Sequence, residues 1–295
     1  MQSLSRQQIA ASCLSRWQHE DERTEYFSTS FETWVDSIPS DAIDMIFHLL
    51  SSFCYYPHEI VNRYLVELHK DLIAKSTITD DNTIFISIKT TSGIGNSSND
   101  YWVEYKLQNR INKYTCIDDI RKLLPEQSAL ISNVVIIDDC SGTGSTLTKY
   151  LGRNLDFFSD KNIYFITIHL MKTALDNINK FAQEKYIKIH VLFAIIQDKA
   201  FNDKYFEENG SLKEQFIDVS HKLNVNKDHI LGFEETEGLF AFYNNTPNNT
   251  LGLFWHDTDK YRSLFPRKND KRPAWMNFKV QRQYRKNQNY YSAQR

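Results

Sequence analysis

The run Val134-Val-Ile-Ile-Asp-Asp-Cys-Ser-Gly-Thr-Gly-Ser-Thr-Leu147 gathers the residue types best suited to chemistry in this chain. Branched apolar residues lead into Asp138 and Asp139, then into a short turn of glycine, serine and threonine, then into a helical pattern. Carboxylates accept hydrogen bonds from vicinal hydroxyls, such as those of a sugar, and they repel a phosphate. The turn has the opposite preference. Gly142 and Gly144 let the backbone approach an anion without a Cβ in the way. The helix that follows offers unpaired N–H groups and the positive end of its dipole. Thr143, Ser145 and Thr146 add hydroxyl donors. A sugar phosphate, held by both ends, is the ligand this pattern fits; the bland alternative is an acidic strand end followed by a capped helix.

Such a turn needs a strand buried on both faces to hold it. Residues 83–88, 134–137, 163–168 and 187–196 are β-rich, nearly continuous apolar runs, the texture of a parallel sheet covered on two sides. Helical patterns separate them at residues 101–113, 146–155 and 174–185. This alternation predicts a doubly wound, mostly parallel α/β sheet, with ligands at the carboxyl ends of its strands. Residues 1–80 read as helical and form an N-terminal extension to an α/β domain at 81–265. Within the extension, Ser40 or Asp41 can cap a helix carrying Ile43, Ile46, Phe47 and Leu50. Pro57 can open another, with Ile60, Val61, Tyr64, Leu65, Leu68 and Leu72 at helical spacing. Residues 239–243 and 251–255 read as two strands joined by an Asn-rich loop.

The chain has 295 residues and a formal net charge of −2, but the charge is uneven. Arg267, Lys268, Lys271, Arg272, Lys279, Arg282, Arg285, Lys286 and Arg295 face only Asp270 in the last thirty positions. Trp275, Phe278, Tyr284, Tyr290 and Tyr291 are interleaved with them. A basic, aromatic tail on an acidic body predicts an arm for a polyanion or an acidic partner surface. Cys13, Cys54, Cys116 and Cys140 are widely spaced, which fits a reducing cytoplasm and speaks against disulfides or a thiolate zinc site. No signal-peptide layout opens the sequence and no run of about 18 apolar residues can span a bilayer, so a cytoplasmic protein with no membrane partner is expected.

The central run resembles the signature of type I phosphoribosyltransferases: apolar strand, two acidic residues, a variable stretch, then Thr-Gly-x-Thr. Asp138, Asp139, Thr143, Gly144 and Thr146 occupy its fixed positions. The resemblance implies that Asp138 and Asp139 contact the ribose hydroxyls and act in catalysis, while Ser141, Gly142, Thr143, Gly144, Ser145 and Thr146 wrap the 5-phosphate. It also implies Mg2+, carried by the pyrophosphate of the ligand. In that family a loop after an earlier core strand binds pyrophosphate through backbone amides. Lys89-Thr-Thr-Ser-Gly93 stands in that place, with Ser92 and Gly93 suited to an anion nest and Lys89 adding charge; a plain Gly/Ser loop reads the same way. Arg110, on the next helix, either faces the pyrophosphate or is a solvated charge. The segments 244–255 and 264–267 resemble a subgroup of such proteins found in bacterial conflict and anti-phage systems, some encoded beside retron reverse transcriptases.

Competing chemistry is weaker. Gly93-Ile-Gly95 lacks the lysine and the helix of a Walker A loop. Cys140 has no histidine near it in sequence. His169 and His190 fall in strands and read as structural. Glu234, Glu235 and Glu237 read as a solvated acidic turn. Three functions follow. The first is an enzyme that transfers or hydrolyses a phosphoribosyl group as a defence effector. The second is an inactive sensor of a nucleotide or phosphoribosyl metabolite. The third is a module held by a nucleoprotein partner, a reverse transcriptase with its DNA or RNA, through the basic tail.

Overall fold

A computed structural model describes residues 5–18, 20–88, 97–112, 115–117 and 119–267. The chain divides into two compact units: residues up to His58 together with those from Ala200 onward, and Glu59–Lys199 between them. These units are bounded at residues 58 and 199. The basic tail beyond 267 lies outside the described residues.

The first unit opens with α1 (Arg6–Trp17), α2 (Glu22–Ser37), α3 (Ile43–Ser51) and the short strand β1 (Cys54–Tyr56). A 3-10 turn at Ser40–Ala42 precedes α3, whose N-cap is Ala42, so neither Ser40 nor Asp41 caps it. The strand β1 breaks the all-helical reading of residues 1–80.

The second unit follows with α4 (His58–Lys75), β2 (Thr83–Ser87), α5 (Ser97–Gln108), α6 (Pro125–Leu130), β3 (Asn133–Ser141), α7 (Ser145–Arg153), α8 (Leu155–Phe158), β4 (Asn162–Met171), α9 (Lys172–Lys185) and β5 (Lys188–Gln197). On α4, the expected stripe buries Val61, Leu65, Leu68 and Leu72. The sheet runs in the order β2-β3-β4-β5, and every pair is parallel. Cys116 bridges Phe85 on the side of β2 away from β3, also in parallel. The chain thus leaves β2 toward one edge and leaves β3 toward the other. The seam between β2 and β3 is the point where the winding reverses, and in open α/β sheets ligands bind there, outside the carboxyl ends.

Two layers cover this sheet. Leu147, Leu151 and Ile178 of α7 and α9 pack with Ile84, Ile86, Val134, Ile136, Ile163 and Phe165 on one face. On the other face Tyr105 of α5 lies 6.1 Å from the Phe85 ring. Residues 134–137 have no exposed surface, as a central strand requires. At the opposite strand ends an amide ladder fixes the register. Asn133 Nδ2 donates to Asn82 Oδ1 at 3.0 Å, and Asn162 Nδ2 donates to Asn133 Oδ1 at 3.1 Å.

The first unit resumes with α10 (Lys204–Glu208), α11 (Leu212–Lys222) and β6 (Phe240–Phe242). Strand β6 pairs in parallel with β1, Cys54 against Phe240. Residues 251–255 are not the second strand expected: Gly252–Phe254 is a 3-10 turn buried in the core. That core is aromatic, with Trp17, Phe27, Phe53 and Phe265 in mutual ring contact. Arg23 is buried within it, donating to Phe242 O, to Thr246 Oγ1 at 2.7 Å and to Pro266 O at 3.2 Å. Five hydrogens on a planar guanidinium satisfy several carbonyls at once, which lets a charge sit among rings. Glu237, expected in a solvated turn, is also buried here, and its carboxylate accepts from Lys213 Nζ at 2.6 Å; Glu234 and Glu235 are exposed as expected. All four cysteines are free.

Candidate functional site

The acidic pair does not end its strand. Strand β3 continues through Ser141, with Asp138 opposite Thr167, Cys140 opposite His169 and Ser141 opposite Leu170 of β4. The polar residues extend the ladder because their backbone groups find partners in β4, whatever their side chains prefer. Both carboxylates are buried, Asp138 at 9 % and Asp139 at 7 % exposure. Each spends one oxygen on the next residue's backbone. Asp138 Oδ1 accepts from Asp139 N at 3.0 Å, and Asp139 Oδ1 accepts from Cys140 N at 2.8 Å. Burial pushes the Asp138 carboxyl well above the usual range, and the like charge of Asp139 adds to the shift. A group that offers hydroxyl donors or a cation at this spot lowers the cost of keeping both acids charged.

After Ser141 the chain turns through Gly142, Thr143 and Gly144 into α7. Gly144 is the N-cap, with φ 75° and ψ −4°, and has no side chain to cap the helix; Thr143 Oγ1 accepts weakly from Ser145 N at 3.4 Å. The N–H groups of the first turn of α7 beyond Ser145 face no side-chain cap and suit an anion. Thr143 Oγ1 lies 3.0 Å from Ser145 Oγ, two hydroxyls side by side. Gly142 and Gly144 are buried, Thr143 and Ser145 half-buried, and Thr146 exposed.

Gly144 also has a packing task that the sequence did not point to. A Cβ built there meets Ile178 Cγ1 at 3.0 Å and Ala174 O at 3.1 Å, both on α9, rather than the space before the turn. The glycine serves the left-handed backbone and the close approach of α7 to α9. A residue the sequence did not point to completes the turn: Asn177 Nδ2, on α9, donates to Thr143 O at 3.0 Å. Its spacing from Ala174 and Ile178 along one helix is the only signal that places it near this floor.

Lys89, Ser92 and Gly93 lie outside the described residues. Strand β2, which leads to them, ends with Ser87 opposite Ile137, one residue before Asp138. Arg110 is not on the helix: α5 ends at Gln108, and Arg110 follows in a turn with φ 52°. The sheet also brings His169 beside Cys140, a pairing invisible in sequence. Full burial lowers the His169 pKa to about 3, which leaves a neutral ring of little basicity. Cys140 thus gains no activating base from it. His190 sits on β5, its ring stacked 5.0 Å from Tyr164. Among the described residues no cluster of three or more His, Cys, Asp or Glu side chains stands ready to hold a metal ion, and no helix is long and apolar enough to cross a membrane.

A parallel sheet with two buried acids near the end of a central strand and a hydroxyl-rich turn into a helix N-terminus at its winding reversal is the arrangement of phosphoribosyltransferase-like proteins. The PRTase-CE family model matches residues 31–267, and the chain belongs to that family. Among solved structures, a Helicobacter pylori xanthine-guanine-hypoxanthine phosphoribosyltransferase is similar over 54 % of this chain and 97 % of its own, at 13 % identity and a TM-score of 0.33. The AQ2163 protein of Aquifex aeolicus is similar over 58 % of this chain and 84 % of its own, at 14 % identity and a TM-score of 0.31. No curated protein matches the chain by sequence.

Proposed function

We propose that the β3–α7 turn binds the ribose 5-phosphate moiety of a phosphoribosyl ligand and that the chain transfers or hydrolyses that group. The observation that carries the reading is the pairing of two buried carboxylates with a helix N-terminus across one short turn. In this reading the N–H groups of α7 and the hydroxyls of Thr143, Ser145 and Thr146 take the phosphate, and Asp138 and Asp139 accept from the ribose hydroxyls. The chain's part is positioning and electrostatics. Carboxylates beside the ring favour positive charge developing at C1 as the C1–O bond to pyrophosphate breaks and the electron pair leaves with pyrophosphate. A nitrogen base, a hydroxyl or water then adds to C1 and releases a proton. Mg2+ held mostly by the ligand, as that ion prefers, would neutralise the pyrophosphate when bound. Lys89, Ser92 and Gly93 are proposed for the pyrophosphate end.

The wider role we propose is that of an effector in a bacterial anti-phage system of the retron type, in the cytoplasm. The resemblance of residues 244–255 and 264–267 supports it, as does the basic, aromatic composition of 268–295, which suits a nucleoprotein partner. Incubation with phosphoribosyl pyrophosphate and Mg2+ tests the enzyme. Release of pyrophosphate by the parent, and none by Asp138→Asn/Asp139→Asn, is the expected result. Tight binding with no pyrophosphate released contradicts turnover and leaves a sensor.

A further inference from the structure

Strand β5 is paired with β4 on one side only; among the described residues no strand adds to its other edge. Natural edge strands are short, bulged, charged or covered, because a bare edge is a template for another chain. This one is ten residues long, Lys-Ile-His-Val-Leu-Phe-Ala-Ile-Ile-Gln, with neither proline nor glycine. Val191, Leu192 and Phe193 are only half-buried, and Ile196 is 42 % exposed. A groove of about 490 Å³ runs along the edge. Leu68 and Leu72 of α4 wall it on one side and Leu175 of α9 on the other, so the groove is open along the strand and flanked by helices from both faces of the sheet.

The charges of the strand say what fits. They are confined to its ends: Lys188 at the start, Asp198 just past the finish. Phe193 lies midway between Lys188 and Asp198. A two-fold axis at Phe193 sets a second β5 antiparallel to the first and places each Lys188 directly opposite the partner's Asp198, on the same face of the joined sheet. Asp198 is 48 % exposed and already holds Lys172 at 3.6 Å, and a half-exposed carboxylate accepts more than one cation. An unrelated peptide would have no reason to match this pattern, whereas a second copy matches it by symmetry.

We propose that the chain forms a two-fold dimer by antiparallel pairing of β5 with β5, joining two four-stranded sheets into one. The inference is independent of what the β3–α7 turn binds. Sedimentation velocity of the full chain over a concentration series tests it. The parent is expected to dimerise, and Ile196→Lys, at an exposed position that leaves the monomer folded, raises the dissociation constant at least about tenfold. Lys188→Asp weakens the dimer by about three- to tenfold, and Lys188→Asp/Asp198→Lys restores it. The exchanged pair reports the register and not merely the surface. A parent that stays monomeric at every concentration, a dimer indifferent to Ile196→Lys, or an exchanged pair no tighter than Lys188→Asp alone overturns the proposal.

Discussion

Two strand-to-helix turns stand side by side in the sheet, β3 to α7 and β4 to α9, and they do different things. At β4 the chain passes from buried Met171 directly into Lys172, the first residue of α9, with no loop and no acid. At β3, one strand over, Gly142, Thr143 and Gly144 are interposed and Asp138 stands where β4 has Thr167. Thr167 is neutral, and its hydroxyl donates to His169 O at 3.3 Å within its own strand. Asp138 holds a carboxylate against burial and a like charge. The supersecondary unit is the same in both. A few residues at the carboxyl end separate a turn that closes the fold from one that opens a site, and the closed one supplies the floor, Ala174 and Ile178, on which the open one rests.

Gly144→Val attacks that floor and should have the largest effect. A left-handed φ and a Cβ pressed on α9 together cost about 2–4 kcal/mol. Denaturant unfolding should show the loss without ligand present. Undiminished stability means that α7 and α9 can separate at no cost, and the contrast between the turns then fails.

Asp138→Asn gives the opposite sign. The folded pKa of Asp138 lies above its unfolded value, so the native state binds the extra proton between the two. Its stability therefore falls as pH rises through that window. The neutral variant escapes this loss. Its melting temperature should exceed that of the parent at about neutral pH, well above the unfolded carboxylate value of about 3.9. The gain should vanish on acidification below that value. The equivalent change at Thr167 removes no charge and should show no such pH dependence. A parent and Asp138→Asn that melt together at neutral pH contradict a strained acid.

Asn177→Ala removes a single hydrogen bond from α9 to Thr143 O, worth about 0.5–1.5 kcal/mol. Phosphoribosyl-ligand affinity should fall by up to about tenfold in calorimetry. Lys172→Ala, in the closed turn on the same helix, should change affinity and stability by no more than about 0.5 kcal/mol. Equal effects from the two remove the distinction between the turns.

The sheet was legible because strands buried on both faces carry uninterrupted apolar runs, and each run falls inside an observed strand or within a residue of it. Their ends were not. Asp138 to Ser141 looks like loop in isolation and is held extended by the neighbouring strand. Strand β1 escaped notice because Cys54–Tyr56 is short, sits among helical stripes and finds its partner, β6 at Phe240–Phe242, on the far side of the whole second unit in sequence. Residues 251–255 are apolar because they are buried, and burial alone does not distinguish a 3-10 turn from a strand. The acids, hydroxyls and glycines of the site were visible as a motif. Asn177, the packing role of Gly144 and the proximity of His169 to Cys140 arise from contacts between α9, β4 and β3, which no local spacing encodes.

In the proposed reading the two carboxylates and the N-terminus of α7 hold one ligand between them. Calorimetric titration of the full chain with phosphoribosyl pyrophosphate and Mg2+, beside the same titration of Asp138→Asn/Asp139→Asn, tests it most directly. Saturable binding by the parent and none by the variant is expected, with the variant's circular dichroism and melting showing an intact fold. Equal affinity in the two proteins would contradict it and place the sugar elsewhere.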